Sequence, residues 1–235
     1  MTQPFDPAQD LADAPVVGGR QRPKDAATLI LTRVRKGEAE VLMGRRAPGH
    51  VFMAAKWVFP GGRIDRSDFA ATSANDPPGP EMARLTREMP ARRARALALT
   101  AVRETFEETG LLLAEPAPVA SVAGPWREFR AVGALPDLAA LSYVARAITP
   151  PGRTRRFDAR FFTSDARALL HPEPTAGSGE LEEIAWLPLT AARALDLPAI
   201  TRFVLAEVSE RLTHPNRPVP FVRWAGGRHV IEHRD

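Results

Sequence analysis

The chain has 235 residues, a formal net charge of +4 and no cysteine, which excludes disulfides, thiol catalysis and cysteine-ligated zinc. It contains no apolar run of about 18 residues and no signal-peptide pattern, so we expect no membrane span and a cytoplasmic location. Basic and acidic residues are interleaved along the chain, so the charge pattern does not favour a nucleic-acid partner.

The first part of the chain is predicted to be an arm followed by a β-hairpin. Residues 1–24 mix Pro, Asp, Gln and Gly without periodicity, which predicts a flexible N-terminal arm before a single domain over residues 25–235. Two β-type runs follow, Thr28–Val34 and Ala39–Gly44, separated by a short link that contains glycine. A link of this kind between such runs predicts a hairpin.

A short strand and a proline-rich loop come next. Trp57–Phe59 is β-type and stops at Pro60-Gly61-Gly62, where two glycines permit a turn or close backbone approach. Residues 66–80 are rich in Ser, Ala, Asp and Pro and predict a loop. Glu81–Glu88 predicts a short helix.

The longest predicted helix, Ala91–Thr109, follows Pro90 and ends at Gly110, which are favoured residues for a helix start and a helix stop. At about 100° per residue, its three C-terminal glutamates fall on one face and its apolar residues fall on the opposite face. These glutamates are Glu104, Glu107 and Glu108.

Two interpretations of this acidic face are open at this point. Like charges at these spacings repel one another, so a compensating cation is expected. A hard divalent ion that prefers oxygen ligands, Mg²⁺ or Mn²⁺, would meet that need. The alternative is an acidic helix face that is simply solvated, and this is the commoner situation for glutamate triplets taken alone.

The second half of the chain mixes strands and helices without regular βαβ spacing. The strands are predicted at Ala139–Ile148, Arg156–Phe162 and Ile184–Leu187, and the helices at Thr190–Leu195 and Ala199–Leu212. We therefore predict a C-terminal helical extension over about residues 190–235, with an edge strand added near His229–Glu232. The pattern favours an α/β (α+β) fold: a mixed-sheet α/β/α sandwich with an inserted loop-helix and C-terminal helices.

Two motifs together resemble the signature of the Nudix hydrolases. Phe59-Pro60-Gly61-Gly62 lies upstream of Arg103-Glu104, which is followed by Glu107-Glu108 and Gly110. The signature expects a Glu where Asp68 stands and seven residues before Arg-Glu, whereas this chain has 34 there, residues 69–102. The extra residues form an insertion at about 66–90. An insertion at this place in the signature resembles that of the branch that includes the mammalian peroxisomal coenzyme A diphosphatase.

The resemblance implies a Nudix-like sandwich and metal-dependent hydrolysis of a phosphoanhydride bond. The small-molecule partner it implies is a nucleoside-diphosphate-linked metabolite, with coenzyme A or an adenine dinucleotide as the first expectation. The implied Mg²⁺ or Mn²⁺ ligands are Glu107 and Glu108, with Glu104 as a third ligand or as the base that activates water. Arg103 is placed with the catalytic group and predicted to orient Glu107, and Gly61 and Gly62 are predicted to contact substrate through their backbone.

Several points stay open in the sequence. The insertion leaves the part played by Asp68 undecided, and one of Glu180, Glu182 and Glu183 is a further candidate for the metal site. A nucleotide-sensing module without catalysis and an RNA-processing diphosphatase are the alternative functions. The resemblance also leaves a homodimer open.

Overall fold

A computed structural model describes residues 5–13, 21–47, 55–175 and 179–234. The helices are α1 (Pro7–Asp13), α2 (Gly79–Thr86), α3 (Ala91–Thr109), α4 (Arg127–Ala131), α5 (Leu189–Ala194) and α6 (Ala199–Arg211). The strands are β1 (Lys24–Arg35), β2 (Glu38–Arg46), β3 (Trp57–Val58), β4 (Gly61–Arg63), β5 (Ala114–Pro116), β6 (Ala134–Pro136), β7 (Ser142–Ile148), β8 (Phe157–Asp165), β9 (Leu181–Pro188), β10 (Val219–Ala225) and β11 (Arg228–Arg234).

Nine strands of the described chain form one mixed sheet. Its order is β11-β10-β7-β8-β1-β2-β3, while β4 pairs with β1 and β9 pairs with β2. The β1–β8 and β10–β7 pairs are parallel, and the others are antiparallel. Because β1 contacts β8 on one side and both β2 and β4 on the other, it is the strand around which the site is organised.

Helices cover both faces of this sheet, and each face has its own apolar core. One core joins α2 and α3 to the sheet through buried residues such as Leu97, Leu99 and Val102. The other joins α5 and α6 to the opposite face through residues such as Val204 and Leu205. This arrangement confirms the predicted α/β/α sandwich. None of the described helices is long and apolar enough to cross a membrane.

The predicted hairpin is confirmed as β1–β2, although both strands are longer than the apolar runs indicated. Lys36 and Gly37 form its two-residue turn, with φ of 52° and 81°. Positive φ at both turn positions matches the right-handed twist of the flanking strands. The first strand already begins at Lys24, inside the segment predicted to be an arm.

The insertion folds much as expected and leads directly into α3. A single 3₁₀ turn at Arg66–Phe69 precedes a loop, and the predicted short helix is α2, Gly79–Thr86. Helix α3 has the predicted bounds, Ala91–Thr109, and Gly110 ends it in the left-handed conformation at φ 73°. A glycine at this position satisfies the last helix carbonyls without the penalty that a Cβ would bring.

The N-terminal segment departs from the predicted flexible arm where the structure describes it. Pro7–Asp13 is helical, and the Phe5 side chain is buried against Phe203. Arg153 also binds Asp10 with an Nη2–Oδ2 distance of 2.8 Å. These are contacts with distant parts of the chain, so local composition gave no sign of them. Residues 1–4 and 14–20 of the predicted arm lie outside the described residues.

The C-terminal region corrects a second expectation. Helices α5 and α6 lie where they were predicted, but the chain after them is not a helical extension. Val219–Ala225 and Arg228–Arg234 instead form an antiparallel hairpin, and its first strand pairs in parallel with β7. The second strand lies at the edge of the sheet and contains the predicted edge strand at His229–Glu232. The first four residues of β10 are all buried, which joins the hairpin to the core.

Replacing Gly110 by Ala should destabilise the protein by about 2 kcal/mol or more, because Ala is strained at φ 73° and its Cβ would overlap the Thr175 hydroxyl. Gly37→Ala is the matched control, since Gly37 has φ 81° but no atom within 4 Å of the added Cβ. Its cost should be about 1 kcal/mol. Urea unfolding measures both; equal losses would show that the end of α3 is not closely packed.

Candidate active site

Strand β4 meets the C-terminal half of α3 at two glycines. The Gly61 N–H donates to Glu108 Oε2 at 3.1 Å. A Cβ on Gly61 would collide with Thr28 of β1, and one on Gly62 would overlap the carboxylate of Glu104. Close approach therefore requires glycine at both positions, and the predicted packing of this turn against the glutamate helix is confirmed. Direct substrate contact by these glycines stays a prediction.

One guanidinium holds two of the three predicted glutamates. Arg103 Nη1 lies 2.9 Å from Glu104 Oε1 and 2.9 Å from Glu107 Oε2. Its Nη2 donates to the backbone carbonyl of Arg63 at 3.0 Å, which ties the helix to β4. The predicted contact between Arg103 and Glu107 is confirmed. Arg103 is buried, so it orients carboxylates from behind rather than facing the solvent.

Asp68 fixes that guanidinium from the opposite side. Arg103 donates to it twice, from Nε to Oδ1 at 2.9 Å and from Nη2 to Oδ2 at 3.0 Å. The same carboxylate accepts from Trp126 Nε1 at 3.0 Å, from the Thr100 hydroxyl at 2.8 Å and from the Asp65 N–H at 2.9 Å. Asp68 is fully buried. With its oxygens occupied in this way, it serves as an anchor for Arg103 and not as a metal ligand.

The 3₁₀ turn at Arg66–Phe69 explains how the anchor tolerates the insertion. Asp65 caps this turn by accepting from Ser67 N at 2.8 Å, and Asp68 Oδ2 accepts a hydrogen bond from Asp65 N. The turn therefore sets the position of Asp68 before the inserted loop and α2 begin. Extra residues that leave and return on the surface do not alter the contact with Arg103.

The carboxylates of this helix end are electrostatically strained. Burial, with the charges of Glu107 and Glu180, raises the pKa of Glu104 to about 7 despite the opposing effect of Arg103. Burial also raises the pKa of Glu107, and it raises that of Glu108 well above the ordinary value against the opposing charge of Arg46. Each of these groups would be stabilised as an anion by added positive charge.

The donor set suits a divalent cation, although no ready-made ion site is present. Within the described ranges, no three acidic or imidazole side chains are grouped closely enough to hold an ion. Arg103 and the Gly61 N–H occupy part of the space between the carboxylates. Glu108 Oε1, however, is buried without a hydrogen-bond partner. An orphaned carboxylate oxygen beside raised pKa values fits Mg²⁺ or Mn²⁺.

A cavity of about 860 Å³ opens beside these groups. Glu104 and Glu107 line it, whereas Glu108 lies behind them against Gly61. Arg46 and Arg63 line the same cavity. The sequence motifs predicted no role for either arginine. For Arg63 the only signal was its position directly after the glycine turn. The cavity thus presents anionic and cationic side chains together, as a phosphate-bearing ligand with a bound cation requires.

The structure distinguishes among the three later glutamates. Glu180 lines the cavity and accepts from Arg46 Nη1 at 2.9 Å. Glu182 is exposed, and Glu183 pairs on the surface with Arg45 at 3.3 Å. Glu180 is therefore the one positioned near the helix glutamates. Its selection depends on the β2–β9 pairing, which places residue 181 beside residue 46.

Comparisons with known proteins place the fold among those of Nudix hydrolases. No protein-family model matches the chain. It is 28% identical to the acyl-coenzyme A diphosphatase NUDT19 of Gallus gallus across 62% of this chain and 52% of that protein, so it spans about half the length of that relative. The structure resembles a NUDIX hydrolase from Alicyclobacillus acidocaldarius with a TM-score of 0.59, 25% identity, and coverage of 83% of this chain and 97% of that one. The NUDIX domain of Shewanella oneidensis NrtR, in complex with ADP ribose, shares the fold at a TM-score of 0.51 and 13% identity over 82% and 90% of the two chains.

Asp68→Asn should lower the free energy of unfolding by about 3 kcal/mol, because it removes the negative charge of the fully buried carboxylate to which the buried Arg103 donates twice. Asp76→Asn is the control: Asp76 also pairs with an arginine, Arg95, but its side chain is 70% exposed. The control should change stability by no more than about 0.5 kcal/mol. Comparable losses in urea unfolding would contradict the anchoring role of Asp68.

The metal-free protein should lose stability as pH rises from about 4.5 to about 7. The unfolded chain releases the Glu104 proton near the ordinary value of 4.5, whereas the folded protein retains it until about 7. Rising pH therefore favours the unfolded state across this window, by an amount on the order of 1–3 kcal/mol. Thermal unfolding with a chelator present measures the slope. Glu104→Gln should reduce the slope, leaving the contribution of Glu107 and Glu108, whose pKa values are also raised by burial. An unchanged slope would refute the assignment to Glu104.

Proposed function

We propose that the chain is a Nudix hydrolase and that it hydrolyses the phosphoanhydride bond of a nucleoside-diphosphate-linked metabolite with a divalent metal ion. Coenzyme A and its thioesters are the first substrates to consider, because the Gallus gallus relative is an acyl-coenzyme A diphosphatase. Adenine dinucleotides come second. The acting partner is thus a small molecule rather than a nucleic acid or a membrane.

The observation that carries the proposal is the sharing of one guanidinium by two cavity-lining glutamates. Arg103 holds Glu104 and Glu107 at equal distances of 2.9 Å, with Glu108 directly behind them. A solvated acidic face would not need a buried arginine to set its geometry. This pre-organisation is what a catalytic group requires before substrate arrives.

The residues of this chain would divide the work as follows. Glu104, Glu107 and Glu108 would hold Mg²⁺ or Mn²⁺, which when bound neutralises phosphate charge and acidifies water. Glu104 is also suited to take a proton from the attacking water, since burial raises its pKa to about 7, near the working pH. Arg103 keeps both carboxylates turned toward the cavity, and Arg46 and Arg63 are placed to contact phosphate oxygens.

Glu107→Gln should lower kcat by about 100-fold or more, because it removes a metal ligand and a partner of Arg103 at once. The melting temperature should change little, since the Glu107 side chain is about one-third exposed. The measurement is steady-state hydrolysis of a diphosphate panel that includes coenzyme A, its thioesters and adenine dinucleotides, with Mg²⁺ and Mn²⁺ titrated separately. Glu182→Gln, on the exposed side of β9, is the matched control and should retain wild-type rates.

The same panel separates the alternatives. Full activity in Glu107→Gln would refute the metal assignment. Tight binding of a nucleotide in calorimetry, with no turnover by the wild-type protein, would favour a sensing module instead. Release of product from 5′-diphosphate RNA alone would favour an RNA-processing diphosphatase.

A further inference from the structure

We propose that Phe5, carried by the N-terminal segment, forms the end wall of the substrate cavity and limits the length of acyl group that the site accepts. The inference rests on the proposed function, because it assigns the acyl arm of a coenzyme A thioester to the apolar end of the same cavity. It goes further by naming the specificity-determining residue.

A row of paired residues forms the floor between the two ends of the cavity. In the sheet register, Arg63 of β4 is opposite Ala26 of β1, and Ala26 is opposite Ala159 of β8. Ala159 is in turn opposite Ala147 of β7, and Ala147 is opposite Val222 of β10. All five residues line the cavity. Four strand spacings of about 4.8 Å give a floor roughly 19 Å long.

The two ends of this floor differ in chemistry. The β4 end lies beside Glu104, through the packing of Gly62 on its carboxylate. The other end is lined by apolar side chains together with Thr149, Thr201, Arg155 and the Asp10–Arg153 ion pair, and the three alanines of the floor leave room above it. The apolar side chains at this end are Phe5, Ile148, Phe157, Phe161 and Ile200. They offer apolar contacts to an uncharged part of a substrate.

Phe5 stands at the limit of the apolar section. Its side chain lines the cavity yet is only 8% exposed, because other aromatic rings enclose it. Its ring meets Phe203 edge-on at 6.3 Å and lies 4.6 Å from the ring of His229. A ring held in this way by α6 and β11 cannot swing aside without losing these contacts, so it acts as a wall.

The helix that follows Phe5 is fastened at several points. Arg153 Nη2 donates to Asp10 Oδ2 at 2.8 Å and to the Asp10 carbonyl at 3.1 Å. Asp13 Oδ2 accepts from Ala199 N at 2.7 Å, and Lys56 Nζ lies 3.3 Å from Asp13 Oδ1. The Arg153 side chain is itself buried. These contacts fix the position of α1, and with it that of Phe5, relative to the sheet.

A coenzyme A thioester matches this polarity. Its diphosphate would lie at the glutamates, and its linear pantetheine arm, nearly as long as the floor when extended, would bring the start of the acyl group to the Phe5 end. The acyl end is the apolar part of the molecule, and it would meet Phe5. In apolar pockets, one methylene gained or lost changes kcat/KM by about tenfold or more, so a wall of this kind discriminates chain length.

The test is kcat/KM for a saturated acyl-coenzyme A series from acetyl to lauroyl, expressed as the ratio of each thioester to the acetyl form. Phe5→Ala should raise this ratio about tenfold or more for chains beyond the wild-type optimum. Ala147→Leu, which fills the floor from another strand, should shift the optimum to shorter chains. Leu11→Ala is the matched control, because Leu11 is on the same helix, 48% exposed and outside the cavity lining. It should leave the profile unchanged.

An unchanged profile in both Phe5→Ala and Ala147→Leu would overturn the proposal. So would a rise of equal size for every thioester in Phe5→Ala, since that would show general unblocking of the site. If no variant cleaves any thioester, the proposed function fails, and calorimetry of the same series with metal-free protein tests the role of Phe5 separately. A shift in the Kd of long thioesters relative to the acetyl form in Phe5→Ala would then support that role, and the absence of a shift would reject it.

Discussion

The buried ion pair between Asp68 and Arg103 is the interaction on which the site depends. Arg103 is almost fully enclosed, and a lone guanidinium in that position would be very costly. Asp68 offsets this cost with two hydrogen bonds and is itself held by Trp126, Thr100 and the turn that begins at Asp65. Because Nε and Nη2 of the guanidinium donate to Asp68, Nη1 is the nitrogen that contacts and orients Glu104 and Glu107. The anchor and the acidic face are thus two sides of one arrangement.

The acidic face is maintained at an energetic cost. Burial raises the pKa of Glu104 to about 7 and that of Glu108 well above its ordinary value, so neither ionises readily in the absence of a compensating charge. Glu180, the residue before β9, adds a further negative charge beside Glu104 and Glu108. Clusters of buried carboxylates with raised pKa values are found mainly at sites that bind a cation or a substrate, because an unpaired buried carboxylate destabilises the fold. The same cavity continues over the alanine floor to Phe5, so the strained carboxylates lie at one end of an elongated space.

The sequence predicted those features that depend on neighbouring residues. The bounds of α3, the hairpin turn and the shared face of the glutamates follow from helical period and turn chemistry. Features that depend on contacts between distant segments were not predictable. The function of Asp68 spans the insertion, the choice of Glu180 depends on strand register, and α1 has only seven residues and relies on tertiary contacts. Strand β10 was not predicted, because its partner β7 lies far away in sequence, whereas the edge strand at His229–Glu232 was predicted from its own alternation.

We propose that Arg103, fixed by Asp68, presents the helix glutamates to a divalent cation beside the cavity. Anomalous scattering from crystals grown with Mn²⁺ locates such an ion without reference to activity. We expect a manganese peak within coordination distance, about 2.0–2.6 Å, of carboxylate oxygens from Glu104, Glu107 and Glu108. A protein that takes up no manganese at these side chains, or that binds it only elsewhere, would contradict the claim.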